Sequence, residues 1–415
     1  MTEIDEKKLL ADLIAINTVN GNEAAIADYL EKIFKKSGIK TEKVEYAAGR
    51  VTLIAEVGTG QKPVLAFDGH EDTVAFGNLA RWDQSPLKAK FTNGMVIGRG
   101  ASDMKSGLAA EVLALLNLKK KETKLQGTVR LYATIGEEVG EYGAEQIMQA
   151  QLAKDVDALV VGEPTGTRKE LLRKDNFYMS QNLSSEQIEN LINKNELPDQ
   201  FFVITGHKGV FEYKITAHGK SAHSSMPELG HNAIDDLLVF ATAQKEYFAS
   251  LQEQNQLLGK VTPVVTLLKA GEQINTVPDK AEMSVNIRTI PEKTGTDLEK
   301  DLQALITKFN QQKMNLEMEV LERLDPVYSP PKTHLAQLAK KLAEPLLKQD
   351  LPFAGMSGGT DASYIVKNNP KMEVIVFGPG NISASHQENE FVNFTVYQQF
   401  IKIYTDLAER YLKKV

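Results

Sequence analysis

Residues 63–73 read PVLAFDGHEDT: the apolar run Val64–Phe67 passes directly into a polar cluster that holds His70 and Asp72. So short a run, closed by proline on one side and acids on the other, predicts a buried strand rather than a helix. The same arrangement recurs in VRLYATIGEEVG (129–140), ALVVGEPTG (158–166) and VIVFGPGNISASHQENE (374–390). Apolar runs of this kind, alternating with helical stretches after Lys105 and Glu141, imply a largely buried sheet with helices on both faces. In open sheets of this class ligands bind beyond the carboxyl ends of the strands, so the four polar clusters are expected to meet in one crevice.

On the amino-terminal side, Ile26, Leu30, Ile33 and Phe34 share one helical face that Gly38 closes, and a further strand is expected over Val51–Val57. Beyond the clusters the pattern changes. Phe211, Tyr213, Ile215 and Ala217 alternate with polar neighbours, and a helix over 232–249 follows. Then come strands over 261–268 and 283–290, a helix after Thr294 and a strand over 316–321. That β, α, β, β, α, β order is the split arrangement of a ferredoxin-like α+β sandwich. The α/β pattern resumes near Asp325, with a strand over Val374–Phe377 and a last helix after Asn393. The expectation is an α/β chain with one discontinuous domain, 1–208 and 326–415, a smaller domain inserted at 209–325, and an extra surface segment at 169–200.

Bulk properties narrow the function. At 415 residues the chain exceeds the about 250–300 at which single cores stop growing, which also argues for two domains. The formal charge is −7, and the one dense basic run, Lys119–Lys121 with Lys124, sits at the end of an apolar helix, where the helix dipole favours cations; nucleic acid is not an expected partner. With no cysteine, any zinc must be held by imidazole and carboxylate. The start, MTEIDEKKLL, lacks a signal-peptide pattern, and no stretch approaches the ~20 apolar residues of a membrane span. A cytoplasmic protein with no membrane partner is expected.

Five residues of the clusters and their surroundings have metal-binding chemistry: His70, Asp103 in GRGASDMKSG, Glu138, Glu163 and His386. Taken singly, each has a plain alternative: a structural histidine, an aspartate at a helix start, a solvated acidic turn, a turn residue before Pro164. Together they suffice for two tetrahedral zinc ions if Asp103 bridges them. Asp72, two residues from His70, would orient its ring. Two adjacent buried carboxylates, Glu137 and Glu138, require a cation nearby, and the glycines at 136 and 140 let both face one site. Glu137 is then placed to take a proton from water as general base.

In order along the chain, FDGHEDT, GRGASDMKSG, GEE, GEPTG, GKSAHSSMPELGHNAI, GEQINTVPDKAEMSVNIRTIP, SGGTDAS and SHQENE resemble the M20 family of metallopeptidases and deacylases. The resemblance implies a zinc-peptidase-like mixed sheet flanked by helices, with the inserted domain serving as lid and homodimer interface. It implies two zinc ions per subunit, with cobalt or manganese as alternatives: one on His70 and Glu163, the other on Glu138 and His386, with Asp103 shared. It further implies a cis bond after Asp103, acid/base chemistry at Glu137, and an oxyanion-stabilising His223 that reaches into the partner subunit's site. Asn275 and Arg288 would hold a substrate carboxylate, while Gly358, Gly359 and Thr360 would offer main-chain N–H groups. The implied substrate is a small N-acyl amino acid or dipeptide. The nearest branch removes the succinyl group from N-succinyl-LL-diaminopimelate in lysine biosynthesis; dipeptidase, acetylornithine deacetylase and other N-acyl amino-acid deacylase activities are the enzymatic rivals. A metal-stabilised binding protein is the non-enzymatic one, against which the retention of Glu137 speaks. His207, His218, His231 and His334 are expected to be structural.

Overall fold

The computed structural model describes residues 5–121, 125–174, 179, 182–194 and 197–413. The first four residues of the start, Lys124 of the basic run, and 175–178, 180–181 and 195–196 of the segment 169–200 lie outside these. The chain divides into two compact units. One comprises 1–206, 328–356 and 360–415; the other comprises 207–327 and 357–359.

In the first unit the strands that carry the polar clusters are neighbours. Val64–His70 lies between Thr128–Thr134 and Ala158–Arg168 and runs parallel to both. Glu373–Asn381 runs parallel to Ala158–Arg168 on its far side. Four adjacent parallel strands bring their carboxyl ends to one edge of the sheet, which is why polar residues far apart in sequence meet there. Arg50–Gly58 and Lys40–Ala47 extend the sheet antiparallel at one side, making it mixed.

The helix Lys105–Lys119 is apolar on every side, and nearly all of it is buried between the sheet and the terminal helix Phe394–Tyr411. Its close approach to the sheet depends on glycine, since a Cβ on Gly107 would stand 2.1 Å from the carbonyl oxygen of Gly162. One strand departs from expectation: Ala158–Arg168 runs on well past Val161, through Glu163 and Pro164. Pro164 is tolerated because the pairing with Glu373–Asn381 shifts register there, at a bulge where a missing N–H breaks no ladder bond. Within 169–200, the helix Ser185–Lys194 is exposed apart from the buried Leu191 and the half-buried Ile188 and Ile192, and Asp199–Phe201 rejoins the sheet against Gly166–Arg168.

The second unit is a four-stranded antiparallel sheet in the order Thr262–Ala270, Lys280–Thr289, Gly209–His218, Leu316–Leu324, with the helices Ala233–Ser250 and Gly295–Asn310. This is the strand order of a split βαββαβ sandwich. Phe211, Tyr213, Ile215, Met283, Val285 and Ile287 face a core completed by Leu237, Phe240, Leu298 and Leu302. Thr262–Ala270 is an edge strand, exposed along almost its full length. No helix among the described residues is long and apolar enough to cross a membrane.

Because overfilling a close-packed contact costs about 1–3 kcal/mol, Gly107→Ala should lower the urea midpoint of unfolding with little change in slope. A midpoint equal to the parent's would mean that the helix can draw back from the sheet freely.

Candidate active site

His70 ends its strand with its side chain fully buried. Its Nδ1 lies 3.0 Å from the main-chain oxygen of Asp72. A carbonyl oxygen only accepts, so Nδ1 carries a proton and Nε2 is the nitrogen turned toward the carboxylates. The Asp72 carboxylate stands further off, Oδ1 3.7 Å from Nδ1. It accepts instead from the main-chain N–H groups of Glu137 and Glu138, at 3.2 Å each. The orienting contact expected of the Asp72 side chain is thus made by its backbone, because the strand stops at His70 and the chain turns away. The carboxylate fixes the short 3-10 turn Glu137–Val139, entered through Gly136 at φ 66° and left through Gly140 at φ 136°.

Asp103 faces two imidazoles. Its Oδ1 is 3.2 Å from His70 Nε2, and its Oδ2 is 3.4 Å from His386 Nε2. His70 Nε2 is also 3.2 Å from Glu163 Oε1, and His386 Nε2 is 3.0 Å from Glu138 Oε2. Glu137 offers an oxygen within 4.8 Å of ligand atoms on both His70 and Glu163. The Asp103–Met104 bond is cis. Two ligands each about 2.0–2.1 Å from a tetrahedral ion stand roughly 3.3 Å apart, which matches these pairs, and the donors are imidazole nitrogen and carboxylate oxygen alone. The cluster has the dimensions and donor chemistry of a two-cation centre.

Its electrostatics point the same way. Burial, reinforced by the charge of Asp103, pushes the Glu163 carboxyl up to about 8. Burial, with the charges of Glu163 and Glu138, holds Glu137 well above the ordinary carboxylate range. Burial also acts on Asp103, but hydrogen bonds from His386 and His70 overcome it and lower that carboxyl. The bonds to Asp103 and Glu138 push His386 up to about 10. Protons on the histidines here do the work that bound cations would do.

The remaining expected site residues are placed elsewhere in the chain. Thr360 is buried in the first unit, and its hydroxyl accepts from the N–H of Ala362. His223, Asn275, Arg288, Gly358 and Gly359 belong to the second unit. His223 is exposed, and the Ser225 N–H donates to its Nδ1 at 3.1 Å, which leaves the proton on Nε2. Arg288 lies half-buried on the face of its strand opposite the core, and Asn275 is exposed. Of the other histidines, His207 is buried and bonded to the Lys208 carbonyl, while His218 and His231 pair with Glu317 and Asp236.

Sequence reasoning missed several buried groups around the cluster. Glu390 and Arg99 form a buried ion pair. Arg50, stacked over Tyr142, makes a bidentate pair with the buried Glu23 behind the Glu137–Val139 turn. Glu111, inside the core helix, has neither oxygen partnered among the described residues, and Cβ atoms on Gly69 or Gly162 would come within 2.6 and 2.5 Å of those oxygens. Burial pushes its carboxyl well above the ordinary range, and it sits behind the two strands that present His70 and Glu163. The glycines directly before His70 and Glu163 were its one legible trace.

A family profile described as "Peptidase family M20/M25/M40" matches residues 66–410. A "Probable succinyl-diaminopimelate desuccinylase" of Staphylococcus aureus (strain MSSA476) is 32% identical over 443 aligned residues, covering 100% of both chains. A "Succinyl-diaminopimelate desuccinylase" of Wolbachia pipientis wMel is 28% identical, over 99% of this chain and 94% of that one. Among solved structures, aminopeptidase PepT of Bacillus cereus superposes with a TM-score of 0.73 at 19% identity, covering 99% of this chain and 100% of that one. The YXEP protein of Bacillus subtilis, described as a dinuclear metal binding peptidase of the M20 family, gives 0.69 at 16% identity over 99% and 98% of the two chains.

Any cation that takes His386 Nε2 must displace a proton held up to about pH 10. Zinc binding near neutral pH should therefore release protons, and apparent affinity should climb as pH rises toward that value. Calorimetric heats that are the same in buffers of low and high ionisation enthalpy would contradict this.

Proposed function

We propose that this chain, which belongs to peptidase family M20/M25/M40, is an amide hydrolase that converts N-succinyl-LL-diaminopimelate and water to succinate and LL-diaminopimelate in cytoplasmic lysine biosynthesis. The observation that carries the hydrolysis is Asp103 set between the two imidazoles, with Glu137 beside the same cluster. The choice of acyl group rests on relatives named as desuccinylases that align with the whole chain.

His70 and Glu163 would hold one cation, Glu138 and His386 the other, and Asp103 both; zinc suits these donors, with cobalt or manganese as alternatives. Such a pair supplies Lewis acidity toward a carbonyl and water acidic enough to ionise near neutral pH. Glu137 takes the proton from the attacking water and passes it to the departing amine. Its raised affinity for protons within the carboxylate cluster falls once positive charge is near, which returns it to the ionised form that a base requires. Asp72, by gripping the N–H groups of Glu137 and Glu138, keeps that carboxylate on station.

For the substrate, the Arg288 fork and Asn275 would grip a carboxylate. Main-chain N–H groups of Gly358, Gly359 and Thr360 would approach the substrate, and His223 Nε2–H would stabilise the oxyanion of the partner subunit's reaction. The 209–325 domain serves as lid and dimer interface in this reading. Its edge strand exposes Val264, Val265, Leu267 and Leu268, and its first helix exposes Leu238 and Val239. An unpaired apolar edge of that extent is suited to pairing with a second copy.

Glu137→Gln should reduce turnover by about 10²–10⁴-fold with zinc content unchanged; activity within tenfold of the parent would remove Glu137 from its role. A panel of N-succinyl-LL-diaminopimelate, acetylornithine and several dipeptides, with and without chelator, tests the acyl group. Turnover of dipeptides alone would overturn the succinyl reading while leaving the hydrolase in place. His223→Ala should cost about 10²–10³ in kcat at full metal occupancy, whereas an unchanged kcat would return it to an ordinary surface histidine.

A further inference from the structure

One buried carboxylate outside the ligand set holds the loop that presents Asp103. Glu390 is 1% exposed and accepts four hydrogen bonds. Its Oε1 takes the main-chain N–H groups of Ser102 and Asp103, both at 2.8 Å. Its Oε2 takes the N–H of Gly100 at 3.2 Å and Arg99 Nη1 at 2.6 Å. Gly100 stands at φ +83°, so the loop before Asp103 curls its N–H groups inward around an anion supplied by the chain itself. The carbonyl of Glu390 also accepts from the N–H of Gly98, so side chain and backbone together clamp this loop at both ends.

The same pair reaches two other segments that carry ligands. Arg99 Nη2 donates to the Ala75 carbonyl at 2.9 Å, in the stretch that follows His70 and Asp72. Glu390 itself lies four residues after His386. That loop needs an external hold, because His386 has φ +64° and a half-exposed side chain. Nearby contacts hold the loop without touching Asp103: Asn389 Oδ1 accepts from the Asp83 N–H, and its amide donates to the Arg81 carbonyl.

We propose that Glu390, neutralised by Arg99, is the positioning residue of the cation pair, fixing the Asp103 backbone against the loop of His386 and the segment after His70. The proposal rests on the two-cation reading of the site. The site requires a carboxylate. Among the described residues four donors and no acceptor converge on the side chain, so the amide of a glutamine would turn an N–H group toward other N–H groups. Groups behind a metal's ligands typically affect its affinity by about 10–100-fold.

The test is zinc affinity of the full chain by competition with a chromophoric chelator, with the visible spectrum of the cobalt-loaded protein as a record of coordination geometry. Glu390→Gln should weaken zinc binding roughly 10–100-fold and shift the cobalt bands. Asn389→Ala, which loosens the same loop without releasing Asp103, should leave both unchanged. If Glu390→Gln does not fold, Arg99→Met is measured in its place and should change both in the same direction. Affinity within threefold of the parent and an unshifted cobalt spectrum would overturn the proposal whatever the loss of thermal stability, as would an equal effect of Asn389→Ala. A parent that binds two ions while the Glu390 variant binds them equally well sinks this inference alone; a parent that takes up no metal sinks the two-cation reading with it.

Discussion

Like charges gathered where water cannot screen them form the constraint that organises this molecule. Asp103, Glu137, Glu138 and Glu163 come together at one sheet edge, with side chains that are buried or nearly so. Such a cluster persists only where positive charge is supplied. Within the chain the two histidines supply it, each drawn toward protonation by the carboxylates it touches. The rest of the first unit follows from holding these groups in register: four parallel strands set their ends side by side, and glycines let the core helix press against them from behind.

Much of this was legible in the residue pattern, for definite reasons. Short apolar runs such as Val64–Phe67 and Val374–Phe377, alternating with helical stretches, point to strands of a buried sheet, and polar residues directly after them mark its ligand-binding edge. The alternation from Phe211 to Ala217, with the elements after it, spelled out the βαββαβ unit. Legibility failed where a residue's surroundings, rather than its type, decide what it does. Pro164 looked like the end of a strand, but a register shift let the strand continue through it. Asp72 looked like a partner for the His70 ring, yet its carboxylate grips the next turn. Residue type alone does not tell Glu390 and Glu111 from surface acids; the three-dimensional arrangement shows that the first is ringed by N–H groups and the second is sealed between its helix and the sheet.

The two units divide the chemistry. The first holds the groups that would bind cations and move protons. The second holds Arg288, Asn275 and His223, whose chemistry suits carboxylate and oxyanion recognition.

The two imidazoles differ sharply in their access to solvent: the side chain of His70 is 0% exposed and that of His386 is 52% exposed. A water-borne reagent that modifies imidazoles would find the second far sooner than the first. The cluster therefore shows one imidazole to solvent and keeps the other behind it.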